Sequence, residues 1–183
     1  DKEDKSIIVH CWRGGMRSGA VAWLLGLYGF NVQKIEGGYK AYRNWVLEQL
    51  TQDYKFTVLG GYTGSGKTKL LHQLEKDGNK IIDLEKIAEH KGSSFGHINM
   101  PLQPTQEMFE NILAKELFEN HLNEIWIEDE SQRIGQINLP QTFWSTIRKS
   151  KVKFLEIPFE ERLKNVIDEY GDLPKEELQD AIL

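Results

Sequence analysis

A single cysteine, Cys11, stands among 183 residues. It has no partner for an internal disulfide, which fits a reducing compartment and a cytoplasmic protein. No apolar run approaches the roughly 18 residues that span a bilayer, so no membrane partner is expected. Asp1-Lys2-Glu3-Asp4-Lys5 has no apolar stretch close behind it, which excludes a secretory signal there. Positive charge is in deficit: 23 Lys+Arg face 28 Asp+Glu, a net charge of -5. That excludes a globally basic nucleic-acid coat but not a local basic patch. Internal repeats and low-complexity segments are absent. What remains is an ordinary globular composition, 39% hydrophobic and 28% charged. At roughly 100–200 residues per domain, the length suits one domain or one and a half.

The periodicity predicts strands alternating with helices. Ser6–His10 reads as a β-branched buried strand, and Ala20–Tyr28 as a buried helix stopped by Gly29. Asn31–Ile35 suits a strand; Tyr39, Tyr42, Val46 and Leu50 then recur at helical spacing. Thr51–Lys55 is polar and reads as a linker between residues 1–52 and 53–183. Beyond it, strands are expected at Phe56–Leu59, Lys80–Leu84, Glu124–Ile127 and Lys151–Ile157. Helices are expected at Lys67–Lys76, Glu85–His90, Thr105–Leu122, Leu139–Arg148 and Phe159–Tyr170, with Thr105 as an N-cap. Lys91–Pro104 reads as a long loop. Such alternation implies an α/β fold with parallel sheets.

Two constellations carry chemistry. The first is Cys11-Trp12-Arg13-Gly14-Gly15-Met16-Arg17-Ser18, set between a strand and a helix. Successive amides of residues 12–17 can curl around one point, and the following helix adds its positive end. Arg13 and Arg17 bring full charges, with Arg17 placed to close the ring. All of this favours a thiolate, so Cys11 is expected to be nucleophilic. Gly14 and Gly15 let the backbone turn. The alternative is a structural core cysteine, which has no use for flanking arginines and a glycine pair.

The second constellation is Gly61-Tyr62-Thr63-Gly64-Ser65-Gly66-Lys67-Thr68, a complete G-x-x-x-x-G-K-[ST] after a strand and before an amphipathic helix. Its glycines expose amides to phosphate oxygens, Lys67 supplies a point charge, and Thr68 suits Mg2+. Glu128 and Asp129 then close a strand at the ligand edge of a parallel sheet. Either can serve as the acid that positions Mg2+ or water, with Thr68 and Asp129 the first pair considered for the metal.

Other signals are weaker. Gly92-Ser93-Ser94-Phe95-Gly96, after Asp83 and Glu85, is a loop of small residues that can meet a ligand. His90 and His97 have no zinc spacing with the lone cysteine. Arg148, Lys149, Lys151 and Lys153 form a basic stretch, read as a solvated face with RNA contact as the rival. Trp23, Trp45, Trp126 and Trp144 read as core, whereas Trp12, inside the cysteine loop, is placed to stack on a base or an apolar tail.

His10-Cys11-x-x-Gly14-x-x-Arg17-Ser18 fits the signature of cysteine-dependent phosphatases and also resembles the active loop of rhodanese-type sulfurtransferases, whose cysteine carries a persulfide. Val32–Tyr42, a strand, a double glycine and an aromatic-rich helix, looks like a rhodanese ending. With the phosphate loop following closely, the chain resembles the tRNA 2-selenouridine synthase family. Asp83-Leu84-Glu85, His90–Gly96, Gln103–Gln106, Phe109-Glu110-Asn111 and Ile127–Gly135 extend the similarity, which runs from about Val9 to about Gly135. The resemblance implies the C-terminal part of a rhodanese-like domain followed by a P-loop NTPase-like parallel-sheet domain. It implies a transferase that replaces sulfur by selenium in wobble 2-thiouridine of tRNA, with selenophosphate as donor and S-geranylation from geranyl diphosphate as a further activity. Cys11 would be the rhodanese-site cysteine, held by its loop through Arg17. Residues 61–68 would bind a diphosphate, from geranyl diphosphate or from ATP or GTP with Mg2+. A rhodanese domain needs more than the 50 or so residues before the linker, so the chain is expected to be a fragment, with truncation after residue 183 expected as well. Two rivals remain: a cysteine phosphatase or arsenate-reductase-like hydrolase fused to an NTPase, and a P-loop small-molecule kinase with a rhodanese-like binding module.

Overall fold

A computed structural model describes residues 5–93, 96–98 and 100–171. The chain divides into two compact units, Asp1–Glu48 and Gln49–Leu183. Ser94 and Phe95 of the small-residue loop lie outside the described residues.

In the first unit, β1 (Ser6–Val9) pairs in parallel with β2 (Asn31–Lys34), Ser6 opposite Asn31. The crossover between them is α1 (Met16–Leu27), and α2 (Gly38–Gln49) follows β2. The cysteine loop therefore leaves the carboxyl end of β1 and the double glycine leaves the carboxyl end of β2. Two sequence expectations are corrected here: β1, expected to be buried, leaves Ser6 and Ile8 exposed, Ile8 by 66%. The helix after the cysteine is not buried: Val21, Trp23, Leu24 and Leu27 are exposed, Trp23 by 68%. Two four-residue strands are too small a sheet to cover a helix that is apolar all round. None of the five tryptophans is fully buried; Trp45, Trp126 and Trp144 are half-buried, so the reading of them as core does not hold.

In the second unit, β3 (Lys55–Gly61), β4 (Lys80–Ile82), β5 (Glu124–Glu128) and β8 (Lys151–Leu155) form one parallel sheet in the order β4-β5-β3-β8. Central β3 is buried from Phe56 to Gly60, as an apolar strand covered on both faces should be. Edge β8 leaves Val152 and Phe154 exposed. The helices are α3 (Lys67–Lys76), α4 (Leu84–Ala88), α5 (Gln106–Glu119), α6 (Gln141–Lys149) and α7 (Phe159–Tyr170). Leu71, Phe109, Leu113, Leu117 and Phe143 are buried in the core with Ile125 and Ile127 of the sheet. Thr105 caps α5, its hydroxyl accepting from the Met108 amide at 3.2 Å. Asp83 caps α4 from the Lys86 amide at 2.8 Å, and so the strand expected to reach Leu84 stops at Ile82.

Sequence periodicity gave no element between β5 and α6. The structure places a two-stranded antiparallel hairpin there, β6 (Arg133–Ile134) and β7 (Ile137–Asn138), turning at Gly135 with φ +58°. Two-residue strands are too short to show a period; two glutamines secure them instead. Gln103 donates to the carbonyls of Ala88 (3.0 Å) and Ile134 (3.1 Å) and accepts from the Gln136 amide (2.7 Å). Gln106 donates to the Asn138 carbonyl at 2.7 Å and accepts from its amide at 2.9 Å.

Candidate functional site

In the first unit, the cysteine loop is laced to the start of α2. The amide of Tyr39 donates to the Cys11 carbonyl and that of Lys40 to the Trp12 carbonyl, both at 2.9 Å. Close approach requires glycine on both sides. A Cβ on Gly14 (φ +66°) would lie 2.7 Å from the Gly38 nitrogen, and one on Gly38 (φ +65°) would overlap the Cys11 carbonyl oxygen and the Gly14 nitrogen. The double glycine is thus more than a turn: it lets the second βα corner support the first.

Cys11 lines a cavity of about 380 Å3 together with Trp12, Arg13, Gly15, Met16 and Arg17. Its sulfur lies 3.4 Å from the hydroxyl of Ser18, which is 98% buried and has the Gly15 carbonyl at 3.1 Å as the alternative acceptor for its one proton when the thiol is protonated. The Ser18 hydroxyl, then the Ser18 amide, and more weakly the amides of Gly15 and Arg13, hold the thiol down at about 6, against a modest opposing effect of burial. Of the amides of residues 12–17, those of Arg13 and Gly15 face the sulfur, joined by that of Ser18. The direct side-chain partner is Ser18; the guanidinium groups of Arg17 and Arg13 are exposed around the cavity and, among the described residues, make no hydrogen bond to the sulfur. Chemically, such a loop can receive an anion beside a reactive thiolate.

In the second unit, the loop Gly61–Thr68 joins β3 to α3, with Gly64 at φ +76° and Gly66 at φ +78°. It borders a cavity of about 680 Å3 that Glu128, Asp129, Glu130, Glu85 and His72 also line. Lys67 Nζ donates to the Gly61 carbonyl at 3.2 Å, folded back over its own loop. Tyr62 lies outside this lining, exposed, with the Arg162 guanidinium 5.0 Å from its ring. Thr63 and Gly64 are held from α7, their carbonyls accepting from Arg162 (3.2 Å) and Asn165 (2.8 Å).

The structure separates the two candidate acids. Leu59 of β3 is in register with Glu128 of β5, which brings Glu128 beside the phosphate loop. The Thr68 hydroxyl donates to Glu128 Oε2 at 3.3 Å, whereas Asp129 is paired with Arg148. Arg148 is thereby removed from the basic stretch as a free cation. Glu128 is 98% buried, its Oε1 has no hydrogen-bond partner, and burial pushes its pKa up. A hydroxyl beside a carboxylate with an unmet oxygen is a donor set that fits Mg2+. Ser65, another loop member, likewise keeps a buried hydroxyl without a partner.

Two further residues belong to this cavity. Burial, and next the neighbouring Glu128 carboxylate, push Glu130 up to about 7. His72 on α3 was not singled out from the sequence. Its Nε2 lies 2.6 Å from Asp83 Oδ2 at the end of β4. The available signal was spacing: His72 is four residues after Thr68, so both face the same side of one helix. His90, the other motif histidine, is buried and accepts from the Gly92 amide at 3.1 Å, a structural role in the loop.

A family profile described as the tRNA 2-selenouridine synthase AAA domain matches residues 54–182. The tRNA 2-selenouridine synthase of Shewanella frigidimarina is 39% identical over 168 residues, covering 88% of this chain and 44% of that protein. That of Hydrogenovibrio crunogenus is 37% identical over 183 residues, covering 94% of this chain and 49% of that protein. The chain thus spans about half the length of the curated relatives it matches. Among solved structures, a sugar kinase from Janibacter sp. aligns at 17% identity with a TM-score of 0.35, covering 70% of this chain and 76% of that one, a likeness too loose to argue from.

Proposed function

The chain belongs to the tRNA 2-selenouridine synthase family, and from that premise we propose that it is part of a tRNA-modifying transferase that replaces the sulfur of wobble 2-thiouridine by selenium. In this reading the first unit is the end of a rhodanese-like domain, and its Cys11 loop receives the anionic selenium donor, selenophosphate. Arg13 and Arg17 offset the donor's charge at the cavity mouth. The phosphate loop of the second unit holds the diphosphate of geranyl diphosphate. Geranyl transfer forms a bond from the base's sulfur to the geranyl carbon and breaks the carbon–oxygen bond to diphosphate, which leaves into the loop. The selenium of selenophosphate then attacks carbon 2, the geranylated sulfur departs as geranylthiol with a proton, and water cleaves the phosphorus–selenium bond, releasing inorganic phosphate. Lys67 and the loop amides stabilise the departing diphosphate. Thr68 and Glu128 would hold Mg2+, which would supply charge neutralisation to that leaving group. The cytoplasm, where tRNA and reduced thiols are found, is the proposed location.

The observation that carries this reading is the occurrence, in one chain of this family, of a thiol held at about 6 and a glycine-rich phosphate cleft. A second reading has its own support: the Thr68–Glu128 pair is equally suited to a Mg2+-bound nucleotide, as in a P-loop kinase. Calorimetric titration of the chain with geranyl diphosphate, and separately with ATP and Mg2+, decides between them. The proposal expects geranyl diphosphate to bind and Lys67→Ala to weaken it by about 10- to 100-fold, the range for a lost charge-assisted hydrogen bond. Binding of ATP alone would transfer the cleft to the kinase reading.

A further inference from the structure

The acidic overall charge conceals an uneven distribution. In the first unit, residues 1–48, seven Lys and Arg face five Asp and Glu, and three of those five acids fall at Asp1, Glu3 and Asp4, so that from Lys5 to Glu48 only Glu36 and Glu48 oppose Lys5, Arg13, Arg17, Lys34, Lys40 and Arg43. The acidic excess is therefore carried elsewhere in the chain. Four of these cations sit on the Cys11 loop (Arg13, Arg17) and on the first two turns of α2 (Lys40, Arg43), two segments that backbone bonds lace together. Arg13 and Arg17 border the Cys11 cavity. The Lys40 amide is bonded to the Trp12 carbonyl, and Arg43 follows Lys40 by three residues on the same face of α2.

Aromatic rings run through this basic region in a continuous series. Trp12 and Tyr39 have ring centroids 5.9 Å apart, Tyr39 and Tyr42 5.9 Å, and Tyr42 and Trp45 5.7 Å. Tyr39, Tyr42 and Trp45 recur every three residues along α2, a stripe beside the Lys40–Arg43 stripe. Trp12, at the cavity end of the series, is 52% exposed. A hydrophobic core does not need four cations along its aromatic row, and a bare phosphate receptor does not need the aromatics. Both together match a chain of phosphates joined to flat bases.

We infer that the Trp12–Tyr39–Tyr42–Trp45 row, flanked by Arg13, Arg17, Lys40 and Arg43, is the docking surface for an unpaired RNA segment, with Trp12 stacking a base at the mouth of the Cys11 cavity. This rests on the tRNA-modification reading and adds the place where the RNA lies. Unpaired nucleotides are required because only an unstacked base exposes a face to Trp12. The second unit is the competing surface: it has the basic stretch Lys149, Lys151 and Lys153 and the exposed rings of Tyr62, Phe154 and Phe159 around Arg162. However, Phe154 alternates with Lys151 and Lys153 along β8 and so lies on the other face of the strand, and Arg148 is occupied by Asp129.

The test uses the whole 183-residue chain and a fluorescein-labelled ten-nucleotide single-stranded RNA, read by anisotropy without any selenium donor, with heparin as a polyanion lacking bases. Wild type should bind the RNA. Trp12→Ala should weaken RNA at least about fivefold, leave heparin unchanged and be rescued by Trp12→Phe. Lys40→Glu, an exposed site that leaves packing intact, should weaken both ligands and make the salt dependence shallower by roughly one phosphate contact. Lys151→Glu with Lys153→Glu should change neither. Absence of wild-type RNA binding, an unaffected RNA affinity in Trp12→Ala and Lys40→Glu, or loss confined to the Lys151/Lys153 variant would overturn the inference. Failure of the selenium-exchange reading would appear in nucleoside analysis and leave these affinities as they are.

Discussion

The hydroxyl of Ser18 lies 3.4 Å from the sulfur of Cys11, and the serine side is almost fully buried. A small buried residue one place after an exposed arginine therefore tunes the thiol more directly than the arginine does. Ser18 sits in the first turn of α1, so its amide and its hydroxyl both face the sulfur.

Alkylation by iodoacetamide measures this directly. Its rate against pH should show a midpoint near 6 in the wild type, and Ser18→Ala should move it up toward the ordinary value of 9.0. The sign also holds for stability. A thiol lowered on folding stabilises the fold fully above its unfolded value and not at all below about 6, so the first unit should gain stability as pH rises between those limits. An unchanged midpoint in Ser18→Ala would assign the shift to the loop amides alone.

Gly38 should tolerate no side chain. Alanine there meets the Cys11 carbonyl and the Gly14 nitrogen at a φ of +65°. The cost is expected to be at least about 2 kcal/mol, visible as faster hydrogen exchange in residues 9–18. Thiol reactivity at pH 6 should fall with it, because the amides that hold the thiolate move.

Glu130 should make the second unit less stable as pH rises. Its folded value, about 7, lies above the ordinary 4.5, so the folded state keeps the proton longer than the unfolded one. Stability is lost as pH climbs from about 4.5 to about 7. Glu130→Gln should remove that loss, raising Tm by a few degrees at pH 8 and little at pH 4.5. Equal effects at both pH values would show that burial of the charge is not the cause.

Local contiguity decided what the sequence could reveal. Gly61–Thr68 and Cys11–Ser18 are each built from consecutive residues between a strand and a helix, so their place in the fold was readable before any tertiary contact. The helix Lys67–Lys76 was bounded correctly because Gly66 and the apolar spacing of Leu70, Leu71 and Leu74 act within one segment. Pairings across the chain were not readable. Thr68 finds Glu128 rather than Asp129 because of the register between β3 and β5, which no local pattern encodes. His72 and Asp83 meet because α3 and β4 are adjacent in the fold. Trp23 looked like core because it is apolar and lies in an apolar helix, but burial depends on whether a partner surface exists within the unit. The β6–β7 hairpin depends on Gln103 and Gln106, polar side chains from another segment acting as backbone partners.

The most direct test is mass spectrometry of tRNA nucleosides from cells that carry the protein in full length, comparing wild type with Cys11→Ala and Lys67→Ala in this numbering. The account predicts 2-selenouridine in the wild type and its loss in both variants, with S-geranyl-2-thiouridine in its place in Cys11→Ala and 2-thiouridine in its place in Lys67→Ala. Undiminished 2-selenouridine in either variant would contradict it.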